Sequence, residues 1–458
     1  MTNKLKQISP ALFYLLTLKH QPCDKIISYN IVFFATEDKR ILVSIAFDYA
    51  DKDYNVIIFG RDEIRQYRAF DVRVSYPSLI EAINAAQEAI WDIPEDKFCF
   101  PQKDVDEKIF DIFIPVVPED QLHDFFKSLS SPLHSPAKEA IREIAYIFKD
   151  KDGNFIQQFQ TTGFNARLFE LYMFAFLHEE HFFVDNSSKY PDFVFSKGKN
   201  CYALECTTVN PGKCDIDTLP QKPVEIEKLI KDYFPIKFGS ALYSKLTHQS
   251  NKKHYWELPN VVGKPLIIAI EDFHLEDSMC YSSSGLERYL YGYEYIPIRH
   301  EDGSIDQIPQ KIESFDWKEK HIDKPFFELE NCQYVSAVLF SNSATIAKFN
   351  RIGRSAGLGV KKLEVTRTGL WYNPNPTSLM PIPFTIEVDE NYFEAWSDGA
   401  RMYHNPNALY PVNKDDFIGI AHFELDKNNR LLSYVPRCFP ISSYTFVREI
   451  KSKENLEA

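Results

Sequence analysis

A chain of 458 residues, 44% apolar and 26% charged, has the composition of a soluble globular protein long enough for two or three domains, which excludes a disordered or low-complexity chain. No apolar run approaches the ~18 residues that span a bilayer, and ALFYLLTL near the amino terminus is too short for a signal peptide, so a cytoplasmic protein without a membrane partner is expected. A net charge of −13 excludes a surface that attracts polyanions everywhere, and turns the search for nucleic-acid contacts to local basic clusters.

Residues 1–135 read as a small α+β domain. The runs Ile27 to Thr36, Ile41 to Tyr49, Tyr54 to Gly60 and Arg68 to Ser75 are apolar or alternating and are parted by charged turns, which predicts a four-stranded meander. Pro77 then opens a helix over Leu79 to Trp91, with Ser78 and Glu81 in capping-box spacing. Nothing in this part has catalytic spacing. Ser130 to Pro136 is polar and proline-punctuated, the best linker in the chain. A helix over Ala137 to Phe148 and a turn at Lys149 to Asn154 follow it.

Gly163 to His178 is a helix-length run, apolar almost all round from Leu168 to Leu177, as a helix buried on most sides should be. Glu170 lies in its middle and needs a cation, a hydrogen-bond partner or water. Arg167, one turn earlier on the same face, could supply the cation. His178-Glu179-Glu180-His181 lacks the H-E-x-x-H spacing and reads as a polar helix terminus.

Two short apolar runs, Phe193-Val194-Phe195 and Cys201 to Val209, flank Lys197-Gly198-Lys199-Asn200, which has turn chemistry. A two-residue loop at Gly198-Lys199, with glycine first as a type II′ turn prefers, pairs Lys197 with Asn200, and a four-residue loop leaves the register unchanged. Five steps down that register Asp192 faces Glu205. Opposed side chains in an antiparallel pair have Cβ atoms about 4.5 to 5.5 Å apart, so two carboxylates there repel unless something positive joins them. A hard cation, Mg²⁺ or Mn²⁺, can accept both carboxylates, a backbone carbonyl and waters. A loop of odd length would put the two acids on opposite faces instead.

A loop with Asn210-Pro211-Gly212 and Leu219-Pro220 leads to a helix over Val224 to Tyr233 that should break at Pro235 and resume from Lys237 to Leu246. Lys264 to Ile270 reads as a fully buried strand, with Glu271-Asp272 solvated at its end. Tyr281 to Glu330, rich in tyrosine and charge, reads as an insertion or lid. Tyr334 to Phe340 resumes a buried strand that would extend the core sheet. Asn350 to Lys362 is the most basic and flexible stretch; Arg351, Arg354, Lys361, Lys362 and the later Arg367 form a candidate phosphate-contact patch. Short strands and Asn/Pro turns fill Leu363 to Phe446, and the tail Lys451 to Ala458 looks disordered. The eight cysteines include no C-x-x-C pair, which argues against zinc and for reduced, mostly buried thiols.

A helix carrying Glu170, a hairpin carrying Pro191-Asp192 and then Glu205-Cys206-Thr207, a further helix and a further strand are read as parts of an α-β-β-β-α-β order. In these residues about a quarter of the chain resembles the PD-(D/E)xK nuclease superfamily. The resemblance implies an α/β fold with a restriction-endonuclease-like core over 136–275, after the α+β domain and before the 276–334 lid and a β-rich extension over 335–458. It also implies a Mg²⁺- or Mn²⁺-dependent endonuclease used in restriction or defence, with DNA preferred to RNA. Asp192, Glu205 and the Cys206 carbonyl would hold the metal, with Glu170 acting through water. One position departs from the pattern, because Thr207 stands where the family has lysine. Members of the superfamily can supply that lysine from a neighbouring element, and Lys245 is the first candidate here, with Lys237 in reserve. Thr207 and the acidic net charge favour an alternative, a fold that has lost catalysis and serves as a nucleic-acid-binding or assembly subunit. A homodimer or partner subunit is left open.

Overall fold

The computed structural model describes residues 4–18, 28–102, 109–210, 222–273, 277, 280–375 and 377–450. The Pro211-Gly212 and Leu219-Pro220 loop and the tail from Lys451 lie outside them. Strands β1 (Lys6–Gln7), β2 (Ser28–Ala35), β3 (Ile41–Asp48), β4 (Asp53–Arg61) and β5 (Tyr67–Tyr76) form an antiparallel sheet in that order, with α1 (Pro10–Leu16) between the first two. The expected meander is there, with β1 as an added edge. Alternation decides its faces. Ile41, Val43 and Ile45 pack under α2 (Leu79–Trp91), whereas Leu42, Phe33 and Phe59 turn towards the core of the rest of the chain. Ser78 caps α2 by accepting from the Glu81 N–H at 3.3 Å.

After α3 (Asp124–Ser128), the stretch expected to be a free linker is instead packed. Pro136 and Ala137 are buried at the start of α4 (Ser135–Ile147). They lie so close to Gly353 that a Cβ on that glycine would sit 2.2 Å from the Pro136 carbonyl oxygen. A continuous core therefore crosses the 135/136 boundary, running from α1 and the meander into α4, α5 (Phe155–Gln160) and α6 (Phe164–Glu179).

Then come β6 (Phe183–Asp185), β7 (Phe193–Lys197), β8 (Asn200–Val209), α7 (Pro223–Lys228), α8 (Phe234–Thr247) and β9 (Leu266–Asp272), the element order read from the sequence. The helix does not break at Pro235. A π turn over Leu229–Tyr233 joins α7 to α8, and its wider winding accommodates the proline in the first turn of α8. The 276–334 segment supplies α9 (Ser283–Tyr291) and two hairpins, β10 (Tyr293–Arg299) with β11 (Ile305–Lys311) and β12 (Phe315–Trp317) with β13 (Lys320–Ile322). α9 and the second hairpin share the hydrophobic core of α8.

The remaining elements are β14 (Val335–Ser341), α10 (Ile346–Ser355), β15 (Leu363–Trp371), β16 (Ile382–Glu387), β17 (Arg401–His404), β18 (Ala421–Leu425), β19 (Leu431–Tyr434) and β20 (Pro440–Glu449). An eight-stranded mixed sheet runs β19-β18-β17-β14-β9-β8-β7-β6, with β8, β9 and β14 parallel at its centre. β15, β16 and β20 form a separate three-stranded sheet, so the last part of the chain both extends the core sheet and adds a β appendage. β9 and β14 are buried along their whole length, because helices cover both faces. Leu204, Cys206, Ile267 and Ala269 join the core of α4 and α6, while Val209, Ile268 and Ile270 face α8.

That burial corrects one expectation. Glu271 and Asp272 are not solvated at the end of β9 but fully buried, with Glu271 accepting from the Ala344 N–H at 2.8 Å. Asn350 to Ser355 is likewise no flexible loop, since it belongs to α10. Thiols are less uniformly buried than expected: Cys206 and Cys332 are buried, but Cys99, Cys201 and Cys438 are exposed.

Candidate active site

The hairpin register sets the site. Lys197 pairs with Asn200 and Phe193 with Leu204, so Asp192, one step before β7, meets Glu205. Gly198 at φ 58° supplies the turn that holds this register. The Asp192 N–H donates to Glu205 Oε2 at 3.3 Å, and Asp192 Oδ2 accepts from the Cys206 N–H at 2.7 Å. Side chains alternate along β8, so Glu205 shares a face with Ala203 and Val209 and points to the α8 side.

From that side Lys245, near the end of α8, donates to Glu205 Oε1 at 2.6 Å, and the Tyr255 hydroxyl donates to the same oxygen at 2.7 Å. Glu205 is buried, while the lysine side chain keeps 24% of its surface exposed, so the pair opens to solvent on the lysine side. Lys245 brings a positive charge to Glu205 from the neighbouring helix. Lys237 does not reach the acids; its ammonium lies over the Tyr233 ring, 5.4 Å from the centroid.

Glu170 takes the arginine that the sequence offered. Both of its oxygens accept from Arg167 Nη1 at 2.8 Å. Burial nonetheless pushes its carboxyl up to about 7, against the pull of Arg167, and Glu205 adds to the rise. Asp192 is displaced further. Burial, then the negative charges of Glu205 and Glu170, hold its carboxyl well above the usual carboxylate range. For Lys245, burial works against the charge, but Glu205 and Asp192 outweigh it and the ammonium is held more firmly than in water.

Two contributors were not legible in the sequence. Tyr255 comes from a short turn beyond α8, and burial followed by Glu205 raises its hydroxyl above the ordinary range. Lys151, in the turn before α5, donates to the Asp192 carbonyl at 2.8 Å, and burial lowers its pKa. Beside Asp192 a cavity of about 20 Å³ opens, room for about one water, with Lys149, Lys151, Arg167, Glu170 and Lys189 around it.

The proposed phosphate patch is not a surface. Arg351 and Arg367 are buried and bonded to protein groups: Arg351 makes two bonds of 2.7 Å to Glu394, and Arg367 Nη1 reaches Tyr392 and Asp398 at 2.9 and 3.1 Å. Arg354 is half-buried in α10, and only Lys361 and Lys362 are exposed. The five residues cannot lie together against a nucleic-acid backbone, because burial of the two arginines takes them out of reach.

Among the described residues no group of three or more His, Cys, Asp or Glu side chains is disposed to hold an ion. An ion would rest on Asp192 and Glu205, with Glu205 Oε1 also held by Lys245 and Tyr255 and both Glu170 oxygens held by Arg167. These two fit Mg²⁺, which binds through one or two carboxylates and retains waters. No family model, curated protein or solved structure matches the chain.

Proposed function

We propose that the chain is a metal-dependent nuclease of the PD-(D/E)xK type, hydrolysing phosphodiester bonds of DNA in restriction or defence against foreign DNA. A single observation carries the reading: Asp192 and Glu205 face each other across β7 and β8, with Lys245 Nζ 2.6 Å from Glu205. That triad has the composition of the superfamily's motif, with the lysine delivered by α8 instead of by position 207.

Asp192, Glu205 and the Cys206 carbonyl would hold Mg²⁺ or Mn²⁺. When bound, the ion supplies a lowered water pKa and neutralises charge on the scissile phosphate. Lys245 stays protonated beside Glu205, so it orients a nucleophile by donating to it and offers its other N–H bonds to the phosphate oxygens. Tyr255 fixes the second lone pair of Glu205 Oε1 and so holds the carboxylate's orientation. The cavity beside Asp192 carries both signs of charge, with Lys149, Lys151 and Lys189 facing Asp150 and Asp152, and Lys189 pairs with Asp152 at 3.0 Å.

Nicking of supercoiled plasmid by the purified chain with Mg²⁺ or Mn²⁺ tests the reading. Asp192→Ala should abolish cleavage, and Lys245→Met should reduce it about a hundredfold, the usual cost of losing one donor to developing charge. Equal cleavage by wild type and Asp192→Ala would mark a contaminant and end the proposal.

One observation favours a second reading, a fold that has lost catalysis and serves as a nucleic-acid-binding or assembly subunit. Lys245 pairs with Glu205 and Arg167 with Glu170, so two of the three acids have protein cations of their own. Calorimetry with Mn²⁺ separates the two. Binding lost in Asp192→Ala, together with no cleavage under any metal condition, would favour the subunit.

A further inference from the structure

A second polar cavity, sharing no lining residue with the one beside Asp192, lies outside the carboxyl ends of the parallel strands β9 and β14, the place where open α/β sheets receive ligands. Its volume is about 210 Å³, and its walls include Ser343, Thr345, Arg351, Arg367, Ser443 and Thr445. Two buried guanidinium groups form its inner side. Arg351 Nη1 donates to Thr445 Oγ1 at 2.6 Å and Arg367 Nε to Ser443 Oγ at 3.2 Å, which aims both groups at the hydroxyl-lined space.

In the direct ion pairs at this wall the cations outnumber the carboxylates. Lys348, Arg351 and Arg367 contact Glu394 at 3.0, 2.7 and 3.4 Å, and Arg367 contacts Asp398 at 3.1 Å, so three cations share two carboxylates. Arg367 Nη2 has no partner among the described residues. Nor do the first-turn N–H groups of α10 at Ile346 and Ala347, and Ala347 also lines the cavity. Unspent donors, hydroxyls and the positive end of a helix therefore converge on one partly open cavity. The one acid on the lining, Asp277, is exposed to solvent.

We infer that this cavity binds the phosphate group of a small phosphorylated molecule, with Arg367 Nη2, the α10 amides and the Ser343 and Ser443 hydroxyls as its donors. A volume of about 210 Å³ has room for a phosphate and part of the group that carries it. This site does not depend on the Asp192 chemistry and would stand if that site were inert.

Isothermal titration of the full chain with inorganic phosphate, with adenosine 5′-monophosphate and with a 5′-phosphorylated oligonucleotide, at matched ionic strength, tests it. Saturable binding of either small probe is expected; phosphate alone points to the free ion as the ligand, and tighter binding of the nucleotide points to a carried phosphate. Ser443→Glu, which puts a carboxylate into the anion's place, should abolish binding. Arg367→Lys should weaken it about tenfold, and Asp277→Asn should strengthen it. Circular dichroism checks that each variant is folded, and Ser443→Glu carries the test if Arg367→Lys is not. No saturable heat from either small probe, unchanged affinity in Ser443→Glu, or binding of the oligonucleotide only would overturn the inference.

Discussion

Two buried charge clusters in this chain are mirror images. Around Asp192 three carboxylates, Glu170, Asp192 and Glu205, have two cations in direct ion pairs, Arg167 and Lys245. Around Glu394 three cations share two carboxylates. The consequence shows in the acids. Despite burial, three cations drive the Glu394 carboxyl well below its usual value, whereas burial and like charge drive the Asp192 carboxyl well above. Surplus charge of one sign asks for an ion of the other, so the same physics points to a cation at one place and an anion at the other.

Removing the shared acid should produce the largest effect. Glu394→Gln leaves Lys348, Arg351 and Arg367 buried with only Asp398 among them, and should cost about 3 to 5 kcal/mol in urea unfolding. Asp192→Asn should do the opposite. It removes a buried like charge while keeping the acceptor for the Cys206 N–H, and should stabilise by about 1 kcal/mol, the usual gain where a site was held against its own stability. A loss in Asp192→Asn similar to that in Glu394→Gln would mean that the two clusters are alike and both structural.

How far the sequence reveals these clusters follows from the distance over which their parts meet. The Asp192 and Glu205 register is local: a glycine turn and two short apolar runs within 14 residues decide it. Lys245, 40 residues beyond Glu205, is legible only through the superfamily's habit of borrowing a lysine. Tyr255 and Lys151 carry no signal at all, since a tyrosine in a turn and a lysine in an acidic turn look like any others. The Glu394 cluster misleads outright. Arg351 and Arg367 show their charge in the sequence but not their shared partner Glu394, which arrives 43 residues after Arg351. Glu271 and Asp272 mislead for a related reason, because burial at a strand end depends on β14 and α10 lying alongside, and both come from later in the chain. Local turn chemistry survives in the sequence; long-range pairing does not.

Acid titration sharpens the contrast with the smallest expected change. Glu394 has a folded pKa below its ordinary 4.5, so the stability it contributes is present above that pH and is lost as pH falls towards the folded value. Asp192 has a folded pKa above its ordinary 3.8, so its contribution is full below that pH and is lost as pH rises towards the folded value. Urea midpoints measured from neutral pH down into acid should therefore show both variants converging on wild type. Glu394→Gln should approach it from below as its penalty fades, and Asp192→Asn from above as its advantage fades. Parallel curves for either variant would mean that its carboxyl titrates alike in the folded and unfolded chain, and the charge surplus assigned to that cluster would be void.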